Sequence, residues 1–385
     1  MIRILRAILG TINYQNLEPT SRHITFYSEG KSYWPHLKSL LETTLAQTNL
    51  SVCYVSSSED DPGLAITHQR LNTFYIGMGF IRDYFFQTLQ TNIMVMTMPD
   101  LHQYQIKRSQ YKVHYIYVQH SLVSLHMIYR QGAFDHYDTI CCAGTHHNQE
   151  IRALEKQYGL PEKELLNIGY PRLEELRAES KSIQKIPKNT QPLTILIAPS
   201  WGNKGLIESD VAIHMIDELI TQGHHIILRP HPQTRKFAKK KTQEIVDKYD
   251  SLEQFQYEQC VSNADSLHQA DLMISDWSGV ALEFALALHK PVVFCDIPKK
   301  VNNSEYENIA IEPIEVRIRN RIGVIWDMKS PIVHVIERCL NISRDQINNT
   351  KICNLYDYSN KKTIFCEYLE KLIGQQTKAC SASLQ

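Results

Sequence analysis

Two short motifs combine side chains that suit phosphate chemistry with positions at the ends of predicted strands. In the first, RPHP (229–232), Arg229 and His231 stand between prolines that stiffen the turn. A guanidinium offers a forked donor to a phosphate, and the imidazole adds a second donor close by. The motif therefore indicates phosphate binding, although a structural turn with a capped histidine explains it equally well.

The second motif, SDWSG (275–279), opens a predicted helix after a predicted strand. Backbone N–H groups and the helix dipole favour an anion there, and a glycine lets a phosphate approach closely. Glu283, about one turn further on, would accept a hydrogen bond from a ribose hydroxyl. The alternative is N-capping by a side chain, but the nearby RPHP motif favours a nucleotide-diphosphate site. The residues predicted to bind the nucleotide here are Asp276, Trp277, Ser278 and Gly279.

A histidine follows a predicted strand in the first half of the chain. His120, in VQHS, is the best candidate for a general base, because imidazole titrates near neutrality. With 17 histidines in the chain, most must be structural, and that interpretation stays open for His120 as well. The residues predicted to line the same wall are Ser121, Ser124, His126 and Arg130.

Two further loops follow predicted strands. The loop within FYSEGKSYWPH (26–36) presents Lys31, with Ser28 and Glu29, to an acceptor, although a plain turn explains it nearly as well. In APSWGNKG (198–205), Ser200 and Lys204 would reach the donor phosphates. This loop lacks GxGxxG and the Walker pattern, so dinucleotide oxidoreductases and P-loop enzymes gain no support. No metal-ligand spacing occurs, and we expect neither a metal nor a cofactor.

These motifs require a scaffold of parallel strands. Nine apolar, β-branched or aromatic runs alternate with helix-like segments, which is typical of parallel sheets covered on both faces. The polar stretch 178–192 divides them, so we predict two Rossmann-like domains, 1–185 on the acceptor side and 186–385 for the nucleotide donor, with terminal helices. Ligands of such folds bind at the strands' carboxyl ends. The nine predicted strands are 23–28, 51–56, 92–97, 113–118, 138–143, 193–198, 224–229, 272–275 and 291–295.

Composition excludes several classes of protein. Lys plus Arg and Asp plus Glu both number 41, so a general polyanion binder is disfavoured and no nucleic-acid partner is predicted. Nine scattered cysteines without metal-like spacing favour the cytoplasm. No apolar run is long enough to span a bilayer. Ile2, Leu5, Leu9 and Ile12 form a short basic amphipathic stretch with Arg3 and Arg6, which predicts peripheral contact with the inner membrane face; a helix packed on the protein is the favoured alternative.

In this order the motifs resemble the CDP-glycerol glycerophosphotransferase family, the teichoic-acid and capsule polymerase-like enzymes of GT-B fold. VQHS aligns with the family's HGTP-type loop, and GYPRLEEL (169–176), which contains Arg172, with its GxPRxD element. RPHP matches the RxHP element, and SDWSGVALEF (275–284) the SDYSSxxxDF element. In this sequence Ser-Leu-Val follows the histidine, and glutamate stands in the last acidic position.

The resemblance implies a transferase that moves glycerol phosphate, or a related polyol phosphate, from a CDP-activated donor to a surface glycan or lipid-linked acceptor. His120 would deprotonate the acceptor, and His231 would act with Arg229 on the pyrophosphate. Three alternatives remain. A GT-B glycosyltransferase would use a nucleotide sugar, a UDP-sugar 2-epimerase would turn over without an acceptor, and a nucleotide-sensing module would tolerate His120→Ala. The oligomeric state is not indicated.

Overall fold

Continuous apolar runs form the central strands, because a strand covered by helices on both faces has no side that tolerates polar residues. Every residue of strands Ile24–Ser28 and Val52–Ser56 is buried. The structure, a computed structural model, describes residues 2–182, 192–202, 205–259, 261, 263–342, 347 and 354–382. In this part of the chain the strands form two parallel sheets.

The first sheet contains seven parallel strands in the order β3-β2-β1-β4-β5-β6-β7. The order reverses beside β1, where Ile24 pairs with Val52 on one side and Ile93 on the other. Such a reversal leaves a crevice at the carboxyl ends of the strands. The strands are β1 Ile24–Ser28, β2 Val52–Ser56, β3 Leu71–Tyr75, β4 Ile93–Met96, β5 His114–Tyr117, β6 Thr139–Cys141 and β7 Glu164–Leu166. The helices are α1 Ile2–Gln15, α2 Trp34–Gln47, α3 Phe80–Thr88, α4 Thr145–Tyr158 and α5 Pro171–Ser182.

The second sheet repeats this plan with six parallel strands in the order β10-β9-β8-β11-β12-β13, and its reversal lies beside β8. The strands are β8 Thr194–Ile197, β9 His225–Leu228, β10 Phe255–Tyr257, β11 Leu272–Ser275, β12 Val292–Cys295 and β13 Gly323–Trp326. The helices are α6 Val211–Thr221, α7 Pro232–Phe237, α8 Lys239–Tyr249, α9 Asp265–Gln269, α10 Gly279–Leu288, α11 Ile314–Ile322 and α12 Ile332–Leu340, followed by α13 Tyr358–Ala382.

All nine predicted strands are present, with ends that differ by at most two residues. Four observed strands were not predicted, namely β3, β7, β10 and β13, and they are the four edges of the two sheets. An edge strand has one neighbour and more solvent contact, so its sequence need not be a continuous apolar run. In β3, for example, four of the five residues are partly exposed.

Helix α13 departs from the predicted domain assignment. The sequence places the terminal helices in the second domain, and α12 does pack there, against β13 and α6. Helix α13 instead crosses back to the first sheet, where the rings of Phe365 and Phe26 lie 6.5 Å apart. The Tyr368 and Thr139 hydroxyls are 2.7 Å apart in the same core. The predicted border at 185/186 falls among residues outside the described part and stays a prediction.

Several buried contacts join the two domains. Helix α5 packs along α10, and the Tyr170 hydroxyl donates to Glu283 Oε1 at 2.7 Å. Ser124 donates from both its backbone N–H and its hydroxyl to the Glu315 carboxylate of α11, at 2.9 and 2.7 Å. Among the described residues, no helix is both long and apolar enough to cross a membrane.

Candidate active site

A cavity of about 780 Å³ lies between the domains and is lined by the carboxyl ends of strands from both sheets. Polar side chains gather there because the first residues after a buried strand are the first free to face solvent. Of the residues predicted from sequence, the cavity brings together His120, Ser121, Arg130, Arg172, Ser200, Arg229, His231, Trp277, Ser278, Gly279 and Glu283.

His120 lies in this cavity within an aromatic cage. The Tyr117 hydroxyl is 3.1 Å from Nδ1, and the Tyr129 hydroxyl is 3.4 Å from Nε2. The rings of Tyr33 and His36 lie 5.8 and 6.2 Å from the imidazole. Burial lowers the pKa of His120 to about 4, against a smaller opposing effect from the backbone of Thr97. The imidazole is therefore neutral at pH 7 and available to accept a proton.

His231 faces the same cavity from the second domain as the N-cap of α7. Its Nδ1 accepts a hydrogen bond from the Gln233 backbone N–H at 3.1 Å, so the neutral ring carries its proton on Nε2. Burial, followed by the Lys300 ammonium, lowers the pKa of His231 to about 3. His231 thus offers an uncharged N–H donor that does not require protonation.

Arg229 lines the cavity, but its guanidinium is already engaged within its own domain. It donates to Ser266 Oγ and the Val261 carbonyl, both at 2.7 Å, and to the Asn263 carbonyl at 3.2 Å. Glu258 forms a 3.5 Å ion pair with it. The sequence predicted a free fork for a phosphate. The structure instead shows an arginine whose donors are used by the Val261 and Asn263 carbonyls after β10 and by Ser266.

The N-terminus of α10 is open towards the cavity. Ser278 is its N-cap residue, and no side-chain capping hydrogen bond is made there within the described part of the chain, so the N-capping alternative is not realised. Gly279 lies against the first domain: a Cβ on it would come 2.1 Å from Ser121 Oγ. Glycine avoids this overlap where the loop after His120 lies next to the first turn of α10.

Asp276 and Trp277 precede the first turn of α10 and stabilise it through buried contacts. Asp276 is buried, and its Oδ1 accepts from the Ser200 backbone N–H at 2.7 Å. The indole N–H of Trp277 donates to the Ile297 carbonyl at 3.1 Å, and the Arg319 guanidinium lies 3.9 Å from its ring centroid. Asp276 was predicted to touch the nucleotide, but the cavity wall does not include it because β8 and β11 bury it.

Two further predicted residues, Ser124 and Lys31, differ from expectation. Ser124 is fully buried, donates two hydrogen bonds to Glu315 and does not line the cavity. Lys31 points away from the cavity and lies 3.5 Å from Asp60 on the surface. Arg130 reaches the rim, where Asp100 lies 3.7 Å away and the Tyr104 ring 5.1 Å away. Lys204 lies outside the described residues.

Glu283 closes the back of the cavity between the domains. Its Oε1 accepts from Tyr170, whose hydroxyl also lies 3.2 Å from His36 Nδ1. Burial raises the pKa of Glu283, while Arg172 acts against this. Arg172 is itself buried and forms a 3.5 Å ion pair with Glu175. A carboxylate between two domains, with one oxygen used by Tyr170, suits the binding of a hydroxyl.

Sequence reasoning missed Tyr129, His36 and Lys300 and gave Glu29 little weight. Glu29 lines the cavity, and burial raises its pKa to about 7, against the effect of Arg82. Its place after β1, in the crevice where the strand order reverses, was a usable signal. The other three follow no distinctive motif, and only the folded chain brings them together.

The chain is similar to known proteins both in its sequence family and in its fold. The family described as CDP-Glycerol:Poly(glycerophosphate) glycerophosphotransferase matches residues 21–300, well over half of the chain. No curated protein sequence matches.

Among solved structures, the wall teichoic acid polymerase TagF, as an H444N variant soaked with CDPG, is similar with a TM-score of 0.59. It is 15% identical, and the alignment covers 98% of this chain and 96% of TagF. The UDP-GlcNAc 2-epimerase of Methanocaldococcus jannaschii is similar with a TM-score of 0.53 and 13% identity, over 92% of this chain and 99% of the epimerase. The UDP-N-acetylglucosamine 2-epimerase of Rickettsia bellii has a TM-score of 0.55 and 11% identity, over 91% and 95%. These likenesses confirm the predicted GT-B-like fold of two Rossmann-like units.

Proposed function

This chain belongs to the CDP-glycerol:poly(glycerophosphate) glycerophosphotransferase family, and we propose that it transfers glycerol phosphate, or a related polyol phosphate, from a CDP-activated donor to an acceptor hydroxyl. Membership makes it a transferase, as the sequence predicted. The observation that carries the proposal is the cavity in which His120 of one domain faces His231 and the open N-terminus of α10 in the other. TagF, soaked with CDPG, supports the choice of donor.

His120 is the proposed general base. In the free protein its low pKa keeps the imidazole unprotonated but makes it a weak base. An anionic donor entering the cavity would favour the charged form and raise that pKa towards neutrality. The base would therefore strengthen once the donor is bound. The acceptor hydroxyl would lose its proton to His120 as its oxygen attacks the glycerol-bearing phosphorus.

The second domain would hold the pyrophosphate. His231 offers Nε2–H, and the backbone N–H groups at Ser278 and Gly279 offer an anion site at the start of a ten-residue helix. Ser200 lines the adjacent wall. Arg229 would contribute by fixing its loop and by its positive charge, since its donors are engaged.

Glu283 would bind the ribose with the oxygen that Tyr170 leaves unused. On the opposite wall, Ser121, Arg130, Arg172 and Glu29 would face the acceptor. We propose a surface glycan or a lipid-linked acceptor. Its apolar part would lie near Met78 at the cavity rim, whose side chain is 70% exposed.

The outer face of α1 is the proposed point of contact with the inner face of the membrane. Ile2, Ile4, Leu5, Ile8, Leu9 and Ile12 are all at least 40% exposed, while Ala7, Thr11 and Tyr14 hold the helix on the protein. An exposed apolar stripe beside Arg3 and Arg6 suits an anionic bilayer surface. Both arginines share Glu59 as an ion-pair partner.

Ligand-induced thermal stabilisation tests the proposal. The panel comprises CDP-glycerol, CDP-ribitol, CMP and several UDP- and GDP-sugars, because a true ligand stabilises the native state by an amount that grows with its concentration over Kd. We expect stabilisation by CDP-polyols and CMP that is reduced in His231→Ala. Stabilisation by a UDP- or GDP-sugar alone would overturn the proposal, and acceptor-free turnover would then separate an epimerase from a glycosyltransferase.

A further inference from the structure

Lys300 is a cation in the cavity wall that forms no ion pair with any of the residues the structure describes. It follows β12 in the loop that returns towards the cavity, and it is only partly exposed. Its ammonium lies 4.7 Å from the centroid of the Trp201 ring. Among the described residues, it donates no hydrogen bond, and no carboxylate oxygen lies within 4.0 Å. A partly buried ammonium that lacks a counter-ion favours an anionic ligand.

The charged and titratable groups around Lys300 come from three neighbouring strand ends. His231 follows β9, Asp276 follows β11, and Glu208 lies in the segment after β8. Asp276 Oδ2 and Glu208 Oε2 are buried without a hydrogen-bond partner among the described residues. Loss of solvent lowers the pKa of Lys300 to about 8, although both carboxylates act in the opposite direction. The two carboxylates therefore favour the charged form of Lys300 without forming an ion pair with its ammonium.

We propose that Lys300 binds the donor phosphates: its ammonium contacts the pyrophosphate of the bound donor and stays with the nucleoside monophosphate that leaves. This inference rests on the proposed function and adds a residue to it. The position fits, because Lys300, His231 and the start of α10 face one cavity from the carboxyl ends of β12, β9 and β11 in the same sheet.

The chemistry of transfer explains why a cation is needed at this point. The acceptor oxygen forms a bond to the glycerol-bearing phosphorus as its proton passes to His120. The bond from that phosphorus to the bridging oxygen breaks, and the bonding pair leaves with CMP. One negative charge thus develops on the α-phosphate. A fixed ammonium would stabilise this charge more strongly in the cavity than in water.

The first test measures CMP binding by titration calorimetry with the full chain. Lys300→Met is compared with Lys299→Met, which removes a charge from the exposed neighbouring residue. A charge-assisted contact to phosphate is worth enough to expect at least about 10-fold weaker binding for Lys300→Met. We expect Lys299→Met to bind like the wild type and Lys300→Arg to recover part of the loss. Equal affinity of Lys300→Met and wild type would overturn the inference.

A second measurement does not depend on any variant folding. At pH 8.5 a lysine with a pKa of about 8 is mostly neutral, and a bound phosphate dianion should restore its proton. Binding of CMP in buffers of different ionisation enthalpy should therefore reveal uptake of roughly 0.7 proton. His231 does not contribute at this pH, because its pKa of about 3 leaves it neutral. Binding of CMP with neither proton uptake nor sensitivity to Lys300→Met would refute the role of Lys300.

The two proposals fail in different ways. The wild type could fail to bind CMP and CDP-glycerol but bind UMP and take up a proton. That result would overturn the cytidine donor and support Lys300 as a phosphate ligand. Binding of CDP-glycerol with neither proton uptake nor sensitivity to Lys300→Met would overturn Lys300 alone. No binding of any nucleotide would overturn both.

Discussion

The contact between Gly279 and Ser121 gives a sharp prediction about how closely the two domains must approach. In Gly279→Ala the new Cβ would lie 2.1 Å from Ser121 Oγ and 3.3 Å from Ser121 Cβ. The first distance is far inside van der Waals contact. Rotation of the Ser121 side chain removes that overlap, but the contact between the two Cβ atoms remains tight. The loop that carries His120 must therefore move away from α10.

The expected cost follows from these distances. Overpacking of a tight contact costs about 1–3 kcal/mol, and we expect the lower half of that range because Ser121 can turn aside. The displaced loop carries the proposed base next to the proposed phosphate site, so the rate of transfer should fall as well. The two Cβ atoms must separate by only a few tenths of an ångström, and we therefore expect a loss below the roughly 100-fold that a misplacement of about 1 Å can cost.

A double-mutant cycle measures this coupling. Glycerol phosphate transfer and thermal unfolding would be compared for wild type, Gly279→Ala, Ser121→Gly and the double variant. Ser121→Gly removes both the Oγ atom at 2.1 Å and the Cβ atom at 3.3 Å, so the double variant should recover part of the activity, with a coupling of about 1–2 kcal/mol. Gly374→Ala is the matched control, because a Cβ there meets nothing within 4 Å. Wild-type activity in Gly279→Ala, or a double variant no better than the single one, would refute the reasoning.

Three further predictions concern other parts of the molecule. His120→Ala should lower kcat by at least ~100-fold with donor binding retained, whereas His225→Ala, at an exposed strand position, should be unaffected; equal activity of both would remove His120 from the mechanism. Because burial raises the pKa of Glu29 from 4.5 to about 7, its proton is bound more tightly in the folded state, and the stability it contributes is lost as pH rises from about 4.5 through 7. In Glu29→Gln the free energy of unfolding, measured with urea, should fall less between pH 4 and 8, by up to about 3 kcal/mol. The same fall in both proteins would contradict the burial argument. Leu5→Glu with Leu9→Glu should reduce sedimentation with phosphatidylglycerol vesicles, while Leu340→Glu on α12, which is similarly exposed, should not; equal sedimentation would exclude α1 as the contact.

The sequence predicted the centre of each sheet and missed the edges. Central strands such as β1 and β8 are buried on both faces, so their composition alone identifies them. The edge strand β10 is three residues long with an exposed middle residue, and its sequence resembles a loop. The strand-end rule located His120, His231 and the start of α10 because the carboxyl ends of parallel strands meet at one edge of a sheet.

Contacts between distant parts of the chain could not be predicted in this way. Spacing placed Ser124 beside His120, but the fold turns it towards Glu315, 191 residues away. Arg229 has the right type and position for a phosphate, yet two carbonyls after β10 engage its guanidinium. Lys300 belongs to the cavity only because the loop after β12 returns to Trp201. In each case the deciding partner is fixed by tertiary packing.

The return of α13 to the first sheet has a consequence for synthesis. Phe365, Tyr368 and Leu369 are buried in the same core as Ile24 and Phe26, yet they are translated after the entire second domain. The first sheet emerges from the ribosome with that part of its core uncovered, and its apolar surface stays exposed while the residues between Leu166, where β7 ends, and Phe365 are added. Contacts of such long sequence separation fold slowly and expose aggregation-prone intermediates. Complete folding of the first domain therefore waits until α13 has been synthesised.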